Sequence, residues 1–334
     1  MCTGLVVTQE SGFFFGRNMD IERSFGERVV ITPRRFPLTF KAEAPRHEGY
    51  ATIGVGSVVD DYPLYAEAAN EKGLCAAGLN FPGYAHYANG PREGACNVAA
   101  YELISWILSR YASVDEAYPD LQRLNILDMP FKAGLPVPPL HWLVADRKRA
   151  VVIESTAEGL RVYDNPVGVL TNNPTFDWQL TNLRQFMGLT PQQPADTNWG
   201  DLSLTPLGQG QGMFGMPGDF APPSRFVKAA FLRNCAAYGD SEAETISQFF
   251  HVLDAVAMVR GSVQLPNGDL DLTTYSSCIA VDRGVYFYKT AGNNQISAVD
   301  LHAEPLDTDR LLVHELRREQ SIYQHPPVGS ADAE

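Results

Sequence analysis

A cysteine stands second in the chain, and its small side chain permits removal of the methionine before it. Trimming would leave Cys2 first, with a thiol and a free α-amine on one residue. An α-amine has an ordinary pKa of about 7.7–8.0, so a useful fraction is neutral near pH 7 and can take the thiol proton. The thiolate then attacks an acyl carbon, and the ammonium returns a proton to the leaving nitrogen. Alone, such a cysteine is equally well a small buried apolar residue. The run Phe15-Gly16-Arg17-Asn18-Met19-Asp20 adds to the case. It closes a predicted opening hairpin and returns the chain to the neighbourhood of Cys2. A guanidinium at Arg17 favours the charged form of a thiol, and the Asp20 carboxylate can accept hydrogen bonds from an α-ammonium. Read in isolation, Arg17 and Asp20 are as well explained by a solvated salt bridge in a turn.

The elements that would hold these residues are strands. Residues 3–8 and 13–17 flank a turn at 9–12, residues 29–32 and 51–59 read as strands, and residues 64–69 and 74–79 bracket a second turn. Asn97 is placed to cap a helix running through Arg110, and Ser113 with Glu116 forms a capping box for a short one. Residues 140–145 and 151–154 form a further hairpin. Helical patterns follow at 176–187, 224–237 and 242–259, the last capped by Ser241 and Glu244. Strands return at 274–281, 285–290 and 295–300. Strands at both ends, helices between them and mostly hairpin connections predict an α+β fold of antiparallel sheets covered by helices. A single domain over residues 2–329 is expected, with a loose tail at 330–334. Residues 190–223 are rich in Pro, Gly and Gln with little periodicity, and so long a loop is usually functional or part of an interface.

Composition narrows the chemistry. Twenty-six Lys+Arg against 39 Asp+Glu give a net charge of −13 over 334 residues, which disfavours nucleic acid as a partner. No apolar run approaches the roughly 18 residues of a membrane span, and the first residues lack the pattern of a secretory signal. Five scattered cysteines give neither a disulfide framework nor a C-x-x-C site, which points to a reducing, cytoplasmic setting with free thiols. Gly210-Gln211-Gly212-Met213-Phe214-Gly215 satisfies G-x-G-x-x-G in letters only, with no strand before it and Pro217-Gly218 after it. The seven histidines show no metal-ligand spacing and are expected in structural or surface roles. No metal and no cofactor are expected.

The opening Met-Cys-Thr-Gly, the run ending at Asp20 and Ile31-Thr32-Pro33-Arg34 resemble the choloylglycine hydrolase family, which comprises bile salt hydrolases and penicillin V acylases. The resemblance continues through Asn70-Glu71-Lys72-Gly73-Leu74, Gly78-Leu79-Asn80-Phe81-Pro82-Gly83-Tyr84 and the block from Asp164 to Pro174. Met216-Pro217-Gly218-Asp219-Phe220, Ser224-Arg225-Phe226-Val227 and Tyr275-Ser276-Ser277-Cys278 extend it, so that it covers residues 2–290 in order.

The resemblance implies an N-terminal-nucleophile hydrolase built as an αββα sandwich. It implies Cys2 as nucleophile and base, Arg17 and Asp20 beside it, Asn80 and Asn172 as donors to the oxyanion, and Arg225 as a second active-site arginine. One neutral donor aimed at an oxyanion is worth about 3–4 kcal/mol of barrier. Family members that prefer bile salts have asparagine at the position of Asn80, where penicillin V acylases commonly have tyrosine. The expected substrates are therefore glycine- or taurine-conjugated bile salts, with penicillin V or a related N-acyl amide as the alternative. A non-catalytic binder of amphipathic acids is the rival class, and none of its expected losses occurs here. Met19, Ile21, Phe25, Phe131 and Leu135 are candidates for lining a steroid groove, or for ordinary core. With so acidic a chain, anion recognition is expected to be local, through Arg17 and Arg225. The family also uses the 190–223 region in assembling a tetramer, and Trp199, Leu202, Leu204 and Leu207 suit a packed interface.

Overall fold

The computed structural model describes residues 1–327; the tail expected at 330–334 lies outside the described residues. Two antiparallel sheets lie face to face. The six-stranded sheet runs Val169–Leu170, Cys2–Gln9, Gly12–Asp20, Thr273–Ala280, Val285–Thr290, Asn293–Asp300. The eight-stranded sheet runs Gly159–Asp164, Ala150–Thr156, Leu140–Ala145, Cys75–Asn80, Tyr62–Asn70, Thr52–Val59, Arg28–Thr32, Leu312–Glu315. Early and late segments of the chain therefore pair in both sheets.

One core fills the space between the sheets and extends under helices Pro222–Cys235 and Glu242–Asp254, through Leu5, Phe13, Phe14, Phe15, Leu79, Leu143, Phe226 and Phe249. A second core joins the outer face of the larger sheet to helices Leu103–Leu108 and Val114–Leu121, through Trp106, Ile107, Leu121, Trp142 and Ile153. The layers are thus helix, sheet, sheet, helix, the αββα arrangement. Strand Gly12–Asp20 is buried along its whole length, as a central strand covered on both faces must be. It requires Gly16, because a Cβ there would lie 2.0 Å from the Ser277 carbonyl oxygen of the neighbouring strand.

The predicted hairpins occur with ends shifted by up to three residues, and Ser113 and Ser241 cap their helices as read. Asn97 does not cap a helix. It lies in strand Cys96–Ala99, paired in parallel with Leu124–Leu127, and its amide clamps both the N–H and the carbonyl of Arg92. The helix starts instead after a 3₁₀ turn, Ala100–Glu102, whose Glu102 carboxylate accepts from the Ala99 N–H. An asparagine that can cap a helix can equally close a loop, and here the loop prevails. The 176–187 pattern divides into helix Phe176–Asn182 and a 3₁₀ turn, Leu183–Phe186, and the final helix stops at Asp254 rather than 259. Within the irregular 190–223 stretch, Thr197–Trp199 and Leu202–Leu204 form a small hairpin.

Candidate active site

The site is assembled by strand register. Cys2 pairs with Met19, which pairs in turn with Tyr275; Thr3, Asn18 and Ser276 form the adjacent rung, and Gly4, Arg17 and Ser277 the one after it. Alternation puts Cys2, Arg17 and Met19 on the face toward the other sheet and Asn18 and Asp20 on the face toward the helices. Accordingly Arg17 Nη1 reaches across to the Gly78 and Ala66 carbonyls (2.6 and 3.1 Å), while Asn18 donates to Leu253 of a covering helix. Cys2 is 4% exposed, and its Sγ lies 4.0 Å from Met19 Sδ.

Asn172 and Arg225 grip the backbone of Cys2. The Cys2 N–H donates to Asn172 Oδ1 (2.9 Å), and Arg225 Nη2 donates to the same oxygen (2.7 Å). Arg225 Nη1 donates to the Cys2 carbonyl (2.5 Å) and to Thr3 Oγ1 (2.7 Å), and its Nε donates to the Phe220 carbonyl (2.9 Å). Asn172 Nδ2 donates to the Asn80 carbonyl (2.6 Å), which fixes the amide's orientation, because a carbonyl only accepts. One N–H of that amide remains uncommitted. The Asn80 side chain, at the end of strand Cys75–Asn80, is half-buried and makes no hydrogen bond among the described residues.

Asp20 is held by Thr273, whose hydroxyl donates to Oδ1 (2.6 Å); its buried Oδ2 has no hydrogen bond and faces Arg225 Nη1 at 3.9 Å. Met1 is present in the chain. Its carbonyl accepts the Asp20 N–H (2.9 Å), and its ammonium donates to the Asp20 carbonyl and lies 3.6 Å from the buried Asp271 carboxylate.

Two guanidinium groups without solvent access make the charge balance unusual. Burial opposes the Arg17 charge, but Cys2, Tyr275, Glu67 and Asp20 outweigh it and raise its pKa. Burial prevails at Arg225 and lowers its pKa, against Asp20, Cys2 and Asp271. Glu67, behind Arg17 at 3.8 Å, is pushed up by burial although Arg17 and the hydroxyls of Tyr286 and Tyr275 oppose the shift. Burial likewise raises Asp271, against the pull of the N-terminal ammonium.

Because Arg17 and Arg225 direct their N–H groups at the protein's own acceptors, neither is open to a substrate anion as the sequence reading expected. Their placement stiffens the site instead. Replacing Arg225 with methionine would leave Asp20, the Cys2 carbonyl and Asn172 facing a gap, and is expected to cost about 3–5 kcal/mol in urea unfolding.

The structure therefore brings Cys2, Arg17, Met19, Asp20, Asn80, Asn172 and Arg225 together. Ile21 and Phe25 are half-buried against the same core. Phe131 packs with Tyr62 and Tyr101 (ring centroids 5.6 and 5.3 Å) against the second core, and Leu135 is 48% exposed. Sequence reasoning missed Thr3, Thr273, Glu67 and Asp271, for which no local pattern existed. It also placed His141 only among the scattered histidines. A signal was available there, since the 140–145/151–154 hairpin pairs Trp142 with Ile153, so that the next step along brings His141 to Glu154.

Two facing antiparallel sheets between helix layers, with a cysteine opening an inner strand, define the fold of the N-terminal-nucleophile hydrolases. The model of linear amide C–N hydrolases of the choloylglycine hydrolase family matches residues 2–314, and the chain belongs to that family. A bile salt hydrolase/transferase of Clostridium perfringens is 43% identical, the match covering 96% of this chain and 99% of the relative. Another of that name from Lactiplantibacillus plantarum is 45% identical, with 97% and 99% covered. The crystal structure of a conjugated bile acid hydrolase from C. perfringens superposes with a TM-score of 0.92 at 43% identity, over 97% of this chain and 99% of that one. A penicillin V acylase from Agrobacterium tumefaciens shares the fold with a TM-score of 0.72 at 18% identity, over 96% and 99% of the two chains.

Proposed function

We propose that the chain hydrolyses the amide of glycine- or taurine-conjugated bile salts through a thioester on Cys2. The observation that carries this reading is the grip of Asn172 and Arg225 on the Cys2 backbone, in a family member 43–45% identical to bile salt hydrolases/transferases. With Met1 removed, the Cys2 amine takes the thiol proton, and the thiolate adds to the amide carbon. The oxyanion is received by the Asn80 amide and the uncommitted N–H of Asn172. Asn172 Oδ1 and Asp20 Oδ2 hold the ammonium, which protonates the leaving nitrogen as the C–N bond breaks and glycine or taurine departs. Water, deprotonated by the same amine, then cleaves the thioester to bile acid and free thiol. Met19, Ile21 and Phe25 border the acyl group.

Glycocholate, taurocholate and penicillin V, assayed side by side for released amine, test the reading. Bile-salt turnover well above that of penicillin V is expected; penicillin V as the better substrate would overturn the choice, for which Asn80 in place of tyrosine speaks.

We further infer assembly with copies of itself, up to a tetramer, through the 190–223 segment. Trp199, Leu202, Leu207 and, in the same segment, Phe214 are 75%, 61%, 100% and 91% exposed in the single chain. So many large apolar side chains exposed within one segment suit an interface. Light scattering should find an oligomer that Trp199→Ser with Leu207→Ser reduces in size; a wild-type monomer would refute it. Among the described residues no helix is long and apolar enough to cross a membrane. A cytoplasmic location is in keeping with five free cysteines.

A further inference from the structure

Behind the site lies a pair of ionisable side chains that the mechanism above does not use. His141 and Glu154 have no exposed side-chain surface, and His141 Nδ1 lies 3.0 Å from Glu154 Oε1. His141 Nε2 lies 3.1 Å from the Thr171 carbonyl. That carbonyl can only accept, so Nε2 carries a proton. Both Glu154 oxygens accept the Phe176 N–H (3.1 and 3.2 Å). The Phe81 ring lies flat on the imidazole, with centroids 4.3 Å apart and planes 7° apart.

These partners are the immediate neighbours of the two amides. Phe81 follows Asn80, and Thr171 precedes Asn172. Phe176 begins the helix on the far side of Asn172. Asn172 itself lies beyond the end of the two-residue strand Val169–Leu170, so no ladder places it. Burying two ionisable groups this completely is costly unless every polar atom is matched, and a pair of apolar residues would fill the same space without that cost.

We propose that His141 and Glu154 are positioning residues that set Asn80 and Asn172 relative to each other. The ring holds the first segment by stacking and the second by a hydrogen bond, and the carboxylate anchors the chain beyond. The Asn172 Nδ2 to Asn80 carbonyl bond records the alignment. This inference rests on the proposed use of both asparagines at the reacting carbonyl. The thiol and its neighbours Arg17 and Asp20 do not depend on the pair.

The test uses the full chain with His141→Asn, Glu154→Ala and Glu154→Gln. It measures kcat and KM on glycocholate, the rate of Cys2 alkylation by iodoacetamide, and the crystal structure of His141→Asn. His141→Asn removes the donor to Thr171 and the stacked ring. It is expected to lower kcat about 100-fold, a loss that a 1 Å displacement of a reacting group can produce, with KM and alkylation within about 3-fold of wild type. Glu154→Ala should fall similarly. Glu154→Gln should recover most of that loss, because its amide N–H donates to an unprotonated Nδ1 while its oxygen accepts the Phe176 N–H. Wild-type kcat in His141→Asn would overturn the proposal. So would Glu154→Gln as poor as Glu154→Ala, or equal losses in kcat, KM and alkylation, which mark general damage. If His141→Asn does not fold, the two Glu154 variants decide. A wild-type chain inactive on every amide would instead defeat the hydrolase reading. The Asn172–Asn80 bond in crystals of His141→Asn would then still report on the pair, its survival refuting the positioning role.

Discussion

Cys2→Ser is expected to lower glycocholate turnover by about 10³-fold or more, the scale on which removing a nucleophile acts. The same amine that can deprotonate a thiol is a poor base for the far less acidic serine hydroxyl, so the first step fails while binding persists. The fold has little reason to change. The bonds that hold residue 2 come from its own N–H and carbonyl, to Asn172 and Arg225, and the sulfur's recorded neighbour is Met19 Sδ at 4.0 Å. Amine release and the melting temperature measured on one preparation separate the two effects. Turnover within 10-fold of wild type would remove Cys2 from the chemistry.

Retention of Met1 should be nearly as damaging. In the chain that keeps it, the Cys2 nitrogen is an amide with no basic lone pair, and loss of a general base costs about 10²–10⁴-fold. The strand end is nevertheless well accommodated, with the Met1 carbonyl on the Asp20 N–H and its ammonium facing Asp271. Such protein should therefore fold and stay inactive. An N-terminal extension that a protease can trim back to Cys2 gives the measurement. Activity should appear with cleavage, in step with the intact mass, and full activity in chains that still carry Met1 would refute the amine as base.

The two ends of the site differ in how far they could be read beforehand. Cys2, Arg17 and Asp20 lie on one hairpin, and a turn at residues 9–12 folds them together by local rules alone. Asn80, Asn172 and Arg225 come from separate elements, and no short-range pattern says that Asn172 will face the Cys2 nitrogen or that Arg225 will reach the Cys2 carbonyl. Family resemblance supplied those positions. The sandwich was legible because alternating hairpins leave few other ways to bury two apolar faces. Capping signals succeeded at Ser113 and Ser241, where a helix followed at once, and failed at Asn97, where the same side-chain chemistry closed a loop. The arginines were identified as residues but misjudged as open cations, since burial depends on the second sheet and on a helix more than 200 residues away.

Chain termini usually fray, and catalytic groups on a loose end would wander over distances that chemistry does not tolerate. Here the first strand is zipped to its neighbour from Cys2 to Gln9, and an interior arginine clamps its opening carbonyl. Amide exchange at Thr3 and Gly4 should consequently be as slow as in the middle of the sheet. Whatever opening admits a bulky substrate must then arise in the surrounding loops, leaving the nucleophile's own strand still.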